Sequence, residues 1–77
     1  MPTILRVGGL RLYFYSHEPK EPPHVHVDRG DATIKIWLET IEVAKSRGFR
    51  AHEISGILTM VAAHRDQLRE AWHDHFG

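Results

Sequence analysis

The chain contains no cysteine among its 77 residues. That excludes disulfide bridges, thiolate zinc sites and a cysteine nucleophile. It has no apolar run approaching the roughly 18 residues that a membrane-spanning helix needs, and its opening, MPTILR, lacks a secretory pattern, so a cytoplasmic protein with no membrane partner is expected. It has no excess of either charge: Lys plus Arg and Asp plus Glu are 10 each. A protein held to DNA mainly by bulk charge is usually strongly basic, so that class is disfavoured, although a local basic patch is not. There is no repeat, no low-complexity tract, no phosphate-cradling glycine loop and no serine-nucleophile elbow.

What the chain does have is one domain's worth of sequence and seven histidines, His17, His24, His26, His52, His64, His73 and His75. Imidazoles titrate near neutral pH, so net charge should respond strongly to mild acid. Hydrophobic residues make up 42% and charged residues 26%, the balance of an ordinary globular domain.

Periodicity predicts an α+β fold: a small antiparallel sheet of about four strands, built from hairpins and packed on one long C-terminal helix. Residues 3–7 and 10–16 read as two strands around Gly8-Gly9, a tight-turn signal because glycine accepts positive φ. Leu10, Leu12 and Phe14 alternate with Arg11, Tyr13 and Tyr15, a period of two. The loop HEPKEPP is stiffened by Pro19, Pro22 and Pro23. Residues 24–28 and 32–38 read as the next two strands, with a turn at Arg29-Gly30. Residues 41–45 fit either a short strand or a turn of helix. From about 51 to 76 apolar residues recur at intervals of three and four, with a gap at 62–65. Gly56 weakens its first turns by about 1 kcal/mol, but one continuous helix is favoured.

One helix covers one face of a small sheet. The aliphatic residues from Leu5 to Leu38 should face it. The second face then carries Arg6, Arg11, Tyr13, Tyr15, His24, His26, Lys35 and Trp37, which are the candidate binding residues. Arg6 should lie opposite Arg11, and like charges so placed are destabilising. Such a mixture of rings and cations suits a small protein partner or self-association, because Tyr, Trp and Arg are enriched in interface hot spots. It also suits single-stranded RNA, through stacking and phosphate contact. His24 and His26 leave their strand on the same face. They could form an acid–base pair for metal-free RNA cleavage, or two ligands of a zinc ion completed by His17, Glu18 or Glu21, or a pH-sensitive contact, or only a polar strand face with no cofactor. Lys45, Arg47, Arg50 and His52 precede the helix, where backbone N–H groups attract anions; the plain reading is a solvated loop.

Taken in order, PTILRVGGLRLYFYS, EPPHVHV, IKIWLE, VAKSRGF and LREAWHDHF resemble the bacterial domain-of-unknown-function family DUF4160. The resemblance spans nearly the whole chain and puts weight on Pro22, Pro23, His24, His26, Trp37, Leu38, Gly48, Phe49 and Trp72. It implies a short bacterial protein encoded beside another small uncharacterised protein, in an arrangement resembling a toxin–antitoxin pair, with no established reaction. Relatives often carry a serine-like cap after the Gly-Phe pair, where this chain has Arg50, which leaves the helix start open.

Overall fold

The computed structural model describes residues 3–14 and 20–76. It is a five-stranded antiparallel meander, in spatial order β1-β2-β3-β4-β5, followed by two helices. The strands are β1 (Thr3–Val7), β2 (Leu10–Tyr13), β3 (His24–Arg29), β4 (Ala32–Trp37) and β5 (Glu42–Arg47), and the helices are α1 (Ala51–Ala63) and α2 (Arg65–Phe76). The α+β class and the hairpin logic of the sequence hold. The strand count and the continuous helix do not.

The added strand is β5. Its sequence, EVAKSR, shows no alternation because all six of its residues are exposed, so no apolar period marks it as a strand. The turn before it sets its direction. Ile41 adopts φ 56°, and its N–H donates to the Trp37 carbonyl at 2.9 Å. That closes the β4–β5 hairpin with a left-handed residue that is not glycine.

The helix divides at His64, not at Gly56. His64 leaves helical geometry at φ −108°, ψ 12°, and its Nδ1 lies 2.9 Å from the Met60 carbonyl. A carbonyl only accepts, so Nδ1 carries the proton. The break falls inside the apolar gap at 62–65, none of whose residues belongs to the hydrophobic core. Arg65 then donates to the Glu39 carbonyl at 2.9 Å, and Arg69 lies 3.4 Å from the Glu39 carboxylate. Both contacts tie the start of α2 to the β4–β5 turn.

At Gly8-Gly9 the two glycines take φ 52° and 83°, and Val7 pairs with Leu10 across a two-residue turn. Positive φ at both central positions gives the twist that a two-residue hairpin needs. The core lies between one sheet face and the helices. Leu12, Phe14, Val25, Val27, Ile34, Ile36 and Leu38 meet Ile57 and Val61 of α1 and Leu68 and Trp72 of α2, all buried. Leu5 and Leu10 are half-buried at its margin. No helix among the described residues is long and apolar enough to cross a membrane.

Candidate functional site

The second face is ordered by strand register into rows that run across the sheet. One row reads Arg6, Arg11, Asp28, Thr33, Arg47, from direct pairings between successive strands. The next reads Tyr13, His26, Lys35, Lys45, and a third pairs His24 with Trp37 and Trp37 with Glu42. Because strand side chains alternate, all of these residues leave the side away from α1. The register thus gathers every described residue expected on this face, and places Arg6 directly opposite Arg11. Tyr15 and His17 lie outside the described residues.

The centre of this face is not open. Tyr13 is 2% exposed, His24 0% and His26 8%. Arg6, Lys45 and Arg47 are exposed, while Arg11, Lys35 and Trp37 are half-buried. The face is therefore a buried polar–aromatic centre with a cationic margin.

Ring contacts explain how the centre is closed. The His26 ring stacks on Tyr13 at 5.4 Å and 19°. His24 meets His26 edge-on at 5.1 Å and Trp37 edge-on at 5.6 Å. Trp72 of α2 reaches His24 at 4.9 Å while also packing edge-on against Phe14 at 5.3 Å. Trp72 thus touches side chains from both faces of the sheet. The His24 Nδ1 lies 2.9 Å from the Pro22 carbonyl, and a carbonyl only accepts, so Nδ1–H is the donor. The stiff Pro22-Pro23 segment fixes that acceptor. It also positions Pro23, whose carbonyl accepts from the Leu38 N–H at 2.9 Å.

Two cations lie over rings on this side. The Arg11 guanidinium sits 4.6 Å from the Tyr13 ring centre, and the Lys35 ammonium 4.8 Å from that of Trp37. Both are within cation–π range. Lys35 also pairs with Glu21, so the described end of the proline loop is held against the same face.

Asp28 was not among the residues expected here. Tyr13 donates its hydroxyl to Asp28 Oδ2 at 3.0 Å, while Oδ1 is buried with no hydrogen-bond partner among the described residues. The signal was present in the sequence, since His24, His26 and Asp28 follow one another at a spacing of two. Tyr13, Asp28, Asp31, Thr33 and Arg47 line a shallow depression of about 460 Å³. The basic cluster read before the helix is divided: Lys45 and Arg47 belong to β5 on this face, whereas Arg50 is the N-cap of α1. Glu53 accepts from the Arg50 N–H at 2.9 Å and pairs with Arg29. The missing serine cap is thus compensated by an acidic residue in the first turn.

His24 and His26 are close enough to share a ligand, but no group of three His, Cys, Asp or Glu suited to a metal occurs among the described residues. Of the third ligands expected, His17 and Glu18 lie outside the described residues, and Glu21 pairs with Lys35.

The family comparison agrees with the sequence pattern. Residues 9–73 match the family model described as a domain of unknown function, DUF4160. No curated protein and no solved structure matches the chain. The match takes in β2 to β5, α1 and most of α2, including the histidine pair and Trp72, and on that extent the chain belongs to the DUF4160 family.

Proposed function

We propose that the chain is a binding module whose second sheet face takes an acidic protein surface, with Arg6, Arg11, Lys45 and Arg47 as the contact charges and Trp37 as the apolar anchor. The observation behind this reading is the combination of exposure and register. Cations occupy both ends of one cross-sheet row and the outer end of the next, and the exposed ones are in water. Arg6, Lys45 and Arg47, the exposed members, are the charges an acidic surface would meet first. Complementary charge of this kind gives orientation and a fast on-rate. The partner that the family resemblance suggests is the small protein encoded alongside, in a toxin–antitoxin-like pair.

The burial of the histidines weighs against the alternative of a metal-independent endoribonuclease. A general base must come within hydrogen-bond reach of the proton it removes, and His24 has no surface in contact with solvent. Base stacking is poorly served too, because Tyr13 is covered by Arg11 on one side and stacked on His26. RNA remains the competing occupant of the cationic margin, and the same experiment separates the two.

The test is calorimetric titration of the protein with the adjacent gene's product and, separately, with a short single-stranded RNA. The reading expects saturable binding of the protein that weakens about tenfold or more in Arg6→Glu and Lys45→Glu and falls as salt rises. It also expects His26→Gln to leave affinity unchanged. Binding of RNA alone, lost in His26→Gln, would replace the reading with the nuclease.

A further inference from the structure

We propose that β5 pairs with β5 of a second copy, antiparallel, about a twofold axis between Ala44 and Lys45, joining two sheets edge to edge.

β5 ends the sheet, so among the described residues no strand lies beside its outer side. All six of its residues are exposed, which leaves it uncovered on both faces as well. Val43 is the one large hydrophobic residue exposed among those described, at 38%. Edge strands of this kind are templates for another strand.

The sequence is complementary to its own reverse. Set antiparallel about Ala44 and Lys45, EVAKSR places Glu42 opposite Arg47 of the second copy, Val43 opposite Ser46, and Ala44 opposite Lys45. The two outer pairs are ion pairs of opposite charge, repeated by symmetry. Lys45 meets an alanine and not another cation, so no like charges face each other. Val43 gains a neighbour on the helix side.

The register of the existing sheet makes these pairs meet on one face. In a regular strand Glu42 and Arg47, five residues apart, would point to opposite sides. Here a bulge shifts the β4–β5 pairing between Lys35 and Ile36, so that Glu42 pairs with Trp37 and Arg47 with Thr33. Trp37 and Thr33 share a face, and therefore Glu42 and Arg47 do too. Without the bulge, the same pairing would oppose side chains on different faces. Bulges and lysines also serve to protect edges from such pairing, and the charge-swap experiment distinguishes pairing from protection.

The measurement is sedimentation equilibrium of the full chain from about 10 µM to about 1 mM, since a six-residue edge contact lies at the small, weak end of interfaces. A reversible dimer is expected. Glu42→Arg sets Arg against Arg, Arg47→Glu sets Glu against Glu, and each should raise the dissociation constant about tenfold or more. The double variant exchanges both charges and should restore the dimer. Hydrogen exchange supplies a readout free of substitution: β5 amides should gain protection with concentration while those of β1 do not. A monomer throughout the range, or a dimer indifferent to both single reversals, would overturn the proposal. Because Glu42 is not one of the partner-site charges, loss of the dimer in Glu42→Arg is separable from loss of that site, whereas Arg47→Glu bears on both.

Discussion

His24 loses all contact with water on folding, yet its ring keeps a hydrogen bond to the Pro22 carbonyl and contacts with Trp37, His26 and Trp72. A buried imidazole so arranged acts as a core residue with one polar tether. His24→Ala should therefore destabilise the fold by about 2–4 kcal/mol, from the cavity and from the acceptor left unsatisfied. Urea denaturation measures this, and a loss under about 1 kcal/mol would mean that the ring is not packed as described. Gly48 offers a second residue-level test. It sits at φ 89°, and a Cβ there would lie 3.0 Å from both Cα and Cβ of Ala32. Gly48→Ala should cost about 1–3 kcal/mol, combining left-handed strain with a clash against the start of β4. The same denaturation curves would show it as a lower midpoint with an unchanged slope.

Among the elements, those with an apolar period could be read directly and those without one could not. The hairpin around Gly8-Gly9, the alternation in β3 and β4 and the helical spacing from Ile54 to Trp72 each follow from side chains that must reach the core. β5 has no such side chain, and it is held by backbone pairing to β4 and a turn through Ile41. The helix break was half legible. The apolar gap at 62–65 marked the weak point, but the contacts fixing the new direction of α2, Arg65 and Arg69 on Glu39, are long-range and leave no local pattern. Gly56 was a misleading cue. It is helical with nothing within 4 Å of an added Cβ. Gly56→Ala should accordingly stabilise the protein by about 0.5–1 kcal/mol, seen as a higher melting temperature. No rise in melting temperature would place a hidden neighbour at that position.

Over the whole molecule the balanced formal charge conceals a modest cationic excess on one face: the rows of the second sheet face hold Arg6, Arg11, Lys35, Lys45 and Arg47 against Asp28 and Glu42. Composition reports only the sum, so the zero net charge gave no sign of a basic surface, whereas strand alternation did. The sequence also placed Tyr13, His24 and His26 on that face correctly, but alternation says nothing about what closes over a face. Trp72 reaching past Phe14 to His24 is a tertiary contact, and it turns the histidine pair from an expected site into part of the interior. The binding site we propose lies accordingly at the cationic margin.

The most direct test follows the amide and imidazole NMR signals of the labelled protein as the adjacent gene's product is added. The account predicts shifts at Arg6, Arg11, Lys45, Arg47 and the Trp37 indole, with the His24 and His26 rings unmoved, and their reversal as salt is raised. Shifts centred on the two imidazoles, or confined to the outer surface of α1 and α2, would contradict it.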